Sequence, residues 1–259
     1  MCTSKLRSVA VPTEHGGWSL TLEPVVLGLL VEPSRSGLAL GLVALLAFIA
    51  RAPLKLALVD RRRGRDLERT RLARRVAAVE LAILIALIAW AFHAADGSFL
   101  WPLLLAAPLV VIELWYDIRS RSRRLLPELT GVVGVAAVAA AIVLAGGGTD
   151  RIAAGLWCVA AARAVAAVTF VRVQLRRSKG QPHTRSLNDG FQVIALGAAV
   201  VGWMVDAVSV PGVLAIAALA LVHTVLVRRP VPATPILGAQ QVILGLAVVL
   251  TAGLGALAP

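Results

Sequence analysis

Arg51 and Lys55 stand four residues apart in an otherwise apolar stretch, and Glu113 and Asp117 repeat that spacing in another. On a helix this spacing puts two side chains on one face. A basic pair on one helix and an acidic pair on a second can form a buried ion network, because an unpaired charge at bilayer depth is expensive. Tyr116 lies beside the acidic pair, and Glu80 sits just inside a third apolar stretch. Arg163 falls near the middle of a further one, where it needs a partner or a wet cavity. For Lys55, Glu80 and Asp117 the alternative is snorkelling to the interface.

Three polar segments add chemistry of other kinds. In Pro12-Thr13-Glu14-His15-Gly16-Gly17-Trp18, Glu14 and His15 can serve as acid and base, and the glycines allow close approach of a helix or ligand. The alternative is a helix start capped by Thr13 and anchored at the headgroups by Trp18. In the run from Asp60 to Glu68, the carboxylates Asp60, Asp66 and Glu68 could hold Mg²⁺ against a phosphate, or pair with the arginines between them. Arg172 and Arg176 share one helical face, which suits a bidentate phosphate clamp or anionic lipid headgroups. Asn188, Asp189 and Gln192 complete that polar cluster. His93, His183 and His223 have no metal-ligand spacing, and Cys2 and Cys158 point to neither a disulfide framework nor a metal site.

The elements that must position these residues are membrane helices. Hydrophobic residues make up 59% of the chain, too many for an ordinary soluble domain. A span needs about 20 mostly apolar residues. Nine segments qualify or come close: 18–31, 38–59, 76–92, 99–115, 129–145, 152–171, 191–205, 210–227 and 236–258. The first is short and contains Glu23 and Pro24. No polar stretch is long enough for a soluble domain, so residues 1–259 read as one integral membrane domain: all-α, polytopic, with about nine transmembrane helices.

The arginines then assign sides. Lys5 and Arg7 precede the first segment. Clusters follow the second (Arg61 to Arg75), the fourth (Arg119 to Arg124), the sixth (Arg172 to Arg185) and the eighth (Arg228, Arg229). With nine spans all of these share one face, and the other face has only Arg35 and Arg151. The positive-inside rule makes the basic face cytoplasmic, with the N-terminus inside and the C-terminus outside. The net charge of +12 is thereby explained without nucleic acid. The N-terminus lacks the layout of a cleaved signal peptide.

The opening PTEHGGWSLTLEPVVLG, followed by the basic loop 60–75, resembles the YwiC-like family of bacterial integral membrane proteins, and the resemblance is expected over the whole chain. It implies a bacterial inner-membrane location. More distantly, the layout is similar to the UbiA prenyltransferase superfamily, which has nine spans and functional cytoplasmic loops after spans two, four and six. That similarity implies a UbiA-like bundle binding an isoprenoid diphosphate through Mg²⁺. Val59-Asp60 stands where that superfamily has Asn-Asp, with Asp66 and Glu68 as the next carboxylates. Tyr116 to Arg119 resembles its Tyr-xxx-Lys pattern, with arginine as the cation. Its second aspartate motif is replaced by Arg172-Val-Gln-Leu-Arg176, which inverts the charge.

Two functions are open. One is a UbiA-like prenyl or lipid transferase, with Asp60, Asp66 and Glu68 on Mg²⁺, and Arg119, Arg172 and Arg176 on phosphate. The other is a non-catalytic transport or accessory membrane protein that binds an anion or lipid in the same basic cavity.

Overall fold

The computed structural model describes residues 15–95, 97–121 and 123–258, with His15 and Gly16 in their backbone alone. Nine helices are present among them: α1 (His15–Val31), α2 (Arg35–Arg62), α3 (Glu68–Ala94), α4 (Leu100–Ile118), α5 (Leu125–Ala145), α6 (Asp150–Ser178), α7 (Arg185–Met204), α8 (Val210–Leu226) and α9 (Thr234–Leu257). Each corresponds to one apolar segment of the sequence. Seven are long and apolar enough to cross a membrane; α1 and α8 are shorter, with 17 residues each. At 1.5 Å per residue 17 residues reach about 25 Å, the lower limit for a span. The chain is a polytopic helical membrane protein.

Several helices outrun their apolar segments. Helix α2 continues through Arg61 and Arg62, α3 begins at Glu68 ahead of its apolar run, and α6 continues through Arg176 and Arg177. Arginine is a good helix former. Basic residues in a last turn, and an acid such as Glu68 in a first turn, also complement the helix dipole. Much of the charge expected in loops therefore sits on helical extensions.

Neighbouring loops meet at the two ends of the bundle. At one end Arg62 donates to the Ile118 carbonyl and Arg63 to Ser120. There too Arg172 donates to the Arg123 carbonyl, and Arg177 to the carbonyls of Val227 and Arg229. All four basic clusters after the second, fourth, sixth and eighth helices thus share this end. At the other end Ser36 donates to the Ala145 carbonyl, Ser98 to Leu144, and the Trp101 indole to Asp150.

Helices α5 and α6 form the centre. Their apolar windows are 67% and 61% buried, against 11% for α3, which lies at the edge against α2. The central position of α5 follows from its small residues: Ala136, Ala137, Ala139, Ala140 and Ala141 are all buried and let neighbouring helices approach closely.

Candidate functional site

The basic and acidic pairs meet toward the basic end, between α2 and α4. Arg51 Nη1 lies 2.7 Å from Glu113 Oε1, Arg51 Nε 2.8 Å from Asp117 Oδ2, and Lys55 Nζ 3.1 Å from Asp117 Oδ1. One turn of each helix supplies two charges, and the four balance. Asp117 is 1% exposed, so it is held inside by its two cations and does not snorkel. Helix α5 accommodates the pair through Gly131, where a side chain would run into the Glu113 carboxylate. Tyr116 is half-buried beside Asp117. Arg119 stacks its guanidinium on the Trp115 ring, 3.8 Å from the centroid. Glu14 and the side chain of His15 lie outside the described residues.

The carboxylates considered for Mg²⁺ do not converge. Asp60 is buried, accepts a 2.6 Å hydrogen bond from Thr70 and faces Arg69 Nε at 3.7 Å. Asp66 pairs with Arg71 and Arg74. Glu68 opens the first turn of α3. Among the described residues no three His, Cys, Asp or Glu side chains gather as a metal-ion centre would require. Asp60 and Asp66 are engaged by arginines and a threonine, so this donor set does not fit a Mg²⁺–diphosphate site.

Arg172 and Arg176 also part company. Arg172 Nη1 reaches Glu128 Oε2 at 2.7 Å, while Arg176 Nη1 turns to the Pro182 carbonyl at 3.5 Å. Glu128, in the first turn of α5, neutralises Arg172. The expected clamp between the two guanidiniums is not formed. Asn188 is buried, and Asp189 pairs with Arg228 at 2.7 Å. Hydrogen bonding to Asp189 pushes the Arg228 guanidinium, which lies beyond the end of α8, above its ordinary range.

A groove lies between α2 and α3, with a volume of about 500 Å³. Its walls are apolar: Leu54, Ala57 and Leu58 from α2, Ala77, Ala78 and Leu81 from α3. Arg61, Arg65, Asp66 and Arg74 line it toward the basic end, with Arg74 paired to Asp66 and a net positive charge left on the rim. The side chains of Arg61 and Arg65 have no ion-pair partner among the described residues. An apolar slot under a cationic rim suits a molecule with an acyl or isoprenoid chain and an anionic head.

A second polar system runs through the far half of the bundle. Arg163, 2% exposed, donates from Nη2 to Glu23 Oε1 at 3.0 Å and to the Gln241 carbonyl at 2.7 Å. Gly245 makes room for this pair, since a side chain there would strike both the Glu23 carboxylate and the Arg163 guanidinium. Gln241 Nε2 lies 3.2 Å from His223 Nε2, and His223 Nδ1 lies 3.4 Å from Gln192 Oε1. Gln192 donates to Asn188 at 3.1 Å, and Asn188 to Asp189 at 3.1 Å. The His223 ring stacks on Phe170 with centroids 4.3 Å apart. With Glu23 of α1 included, five helices thus contribute to one polar line that runs from Arg163 through the main-chain carbonyl and side chain of Gln241 to the basic end. The sequence placed Arg163 in need of a partner but did not identify Glu23, Gln241 or His223. The available signal was a carboxylate, Glu23, at comparable depth in another apolar segment.

Residues 11–143 match the family described as YwiC-like protein, slightly more than half of the chain and less than the whole-chain resemblance expected from the sequence. The matched part contains the network around Arg51 and the groove, and ends within α5, ahead of Arg163. No curated protein and no solved structure matches the chain.

Proposed function

The chain belongs to the YwiC-like family, and we propose that it binds a phosphate-bearing lipid, an isoprenoid phosphate or another anionic lipid, in the groove between α2 and α3. The observation that carries this reading is the pairing of apolar walls with Arg61, Arg65 and Arg74 at the mouth. Charge-assisted contacts from guanidiniums hold phosphate without a metal. Asp66, bound to Arg71 and Arg74, keeps the rim ordered in the free protein. In this reading the basic end faces the cytoplasm of a bacterial cell, the N-terminus is inside, the C-terminus is outside, and the lipid enters from the inner leaflet.

Binding is favoured over transfer because Asp60, Asp66 and Glu68 do not form a diphosphate–Mg²⁺ centre. The network of Arg51, Lys55, Glu113 and Asp117 fixes α2 against α4, so that α3 can flank a rigid wall. The test is direct. The protein is purified in mild detergent, its retained lipids are identified by mass spectrometry, and binding of a prenyl phosphate is titrated with and without EDTA. Arg61→Ala and Arg65→Ala should each weaken binding by about 1.5–3 kcal/mol, roughly ten- to a hundredfold. EDTA should leave it unchanged. Binding that is abolished by EDTA and insensitive to both substitutions would return the site to metal chemistry.

A further inference from the structure

The mouth of the groove between α2 and α3 carries a charge that can be counted. Three guanidiniums, from Arg61, Arg65 and Arg74, line it with one carboxylate, Asp66. Asp66 is shared between Arg71 and Arg74, so it cancels one positive charge and no more. At least two net positive charges are left on the rim. Neighbouring arginines of the same segment are directed elsewhere: Arg62 and Arg63 reach Ile118 and Ser120, and Arg69 faces Asp60. The mouth also has room. Gly64 lines it in the left-handed conformation, with φ +65°, and no atom lies within 4 Å of where a side chain would begin there.

This charge discriminates between the two forms in which a lipid carries phosphate. A monoester at the end of a chain has close to two negative charges above neutral pH, and three terminal oxygens that accept hydrogen bonds. A diester, substituted on both sides, has one charge and two such oxygens. A rim with two net positive charges attracts the doubly charged form more strongly at equal geometry. Three oxygens can also accept from three guanidiniums, and Arg74 spends only Nη2 on Asp66, which leaves the rest of its planar fork as donors. A zwitterionic head gains nothing from Asp66, because Oδ1 is engaged by Arg74 and Oδ2 by Arg71, and its ammonium would face guanidiniums. The apolar walls hold a chain in the same way whatever its head, so they do not discriminate.

We infer that the groove selects lipids ending in a phosphate monoester over phosphodiester lipids, and that the balance of Arg61, Arg65 and Arg74 against Asp66 sets the preference. The inference rests on the lipid reading proposed above and adds to it the class of headgroup. Prenyl monophosphates and acyl phosphatidates share this chemistry. Asp66 is then a specificity residue: it orders Arg74 and keeps the rim one charge lower than the arginines alone would make it.

The experiment is calorimetric titration of the full-length protein in neutral detergent at low salt and about pH 8, where the monoester is doubly charged. Two pairs of ligands are matched in chain: farnesyl phosphate with its methyl ester, and lysophosphatidate with lysophosphatidylglycerol. The monoester of a pair should bind about tenfold more tightly than its diester, and the ratio should shrink as salt is added. Asp66→Asn keeps the shape and raises the rim charge by one, so it should tighten binding and widen the ratio. Arg65→Ala lowers the charge by one and should narrow the ratio to about threefold. Where Arg65→Ala binds too weakly to measure, Asp66→Asn reads the same dependence in the direction of tighter binding. A monoester preference confined to one pair identifies the chain as prenyl or acyl and supports the inference. Equal affinities within both pairs overturn the headgroup selection and leave the lipid reading standing. Absence of binding by all four ligands overturns the lipid reading and this inference together. A preference that is the same in Asp66→Asn and at high salt is not made by the rim, and overturns the role of Asp66.

Discussion

Asp117 shows how one side chain serves two partners. Its oxygens receive Arg51 and Lys55 separately, and it is the most buried member of the group. Removing it leaves Lys55 without this counterion, while Arg51 keeps Glu113. Because the two cations are 27% and 30% exposed, water screens part of the loss. Asp117→Ala should therefore lower stability by roughly 1–3 kcal/mol, well short of the value for a fully buried broken pair. Thermal unfolding in detergent measures it, and adding Lys55→Met should recover part of the loss. A second residue-scale outcome concerns Gly245. Gly245→Ala should destabilise by about 1–3 kcal/mol or more through overpacking against Glu23 and Arg163. Gly190→Ala, where nothing lies within contact, should be close to neutral. Equal effects at the two glycines would remove the steric argument. The Arg51 network was legible in the sequence because each helix displays its own i, i+4 pair. The Glu23–Arg163 pair was not, because a single charge on each of two segments far apart in the chain carries no pairing information. For Arg172 and Arg176 the limit is related: helical spacing tells which side chains are adjacent, but not that Glu128 of another helix stands opposite one of them.

At the scale of elements, the nine apolar segments each became one helix, so element number and order were readable from hydropathy alone. The ends were not, since arginine-rich turns continue the helices beyond the apolar runs. This matters for the groove, whose rim has Arg61 on the last turn of α2 and Arg74 in the early turns of α3, with Arg65 on the segment that joins them. Helical mounting lowers the entropy lost when Arg61 and Arg74 engage a ligand. Ala78 faces this groove and is exposed, so filling it does not disturb the buried Ala73 and Ala77 beneath. Ala78→Trp should reduce the lipid retained through purification while leaving the unfolding midpoint near the wild-type value. Unchanged lipid content in that variant would place the bound chain outside the groove.

At the scale of the whole molecule, positive charge is concentrated at one end, and contacts between the loops fix that end independently of any hydropathy argument. In the proposed reading all nine helices cross, which would separate the termini. The orientation proposed above follows from the positive-inside rule, by which basic segments are retained on the cytoplasmic side during insertion. The lipid reading depends on that orientation: the groove would then open to the anionic inner leaflet. On a background with Cys2 and Cys158 replaced by serine, a membrane-impermeant thiol reagent applied to intact cells should label Ser98→Cys. It should leave Ser120→Cys and Ser178→Cys untouched until the membrane is opened. Ser178 follows α6 at the basic end and Ser98 precedes α4 at the opposite one. The reverse pattern would invert the protein in the membrane, and the groove would then have to draw its lipid from the outer leaflet, with Arg61 and Arg65 facing away from the cytoplasm.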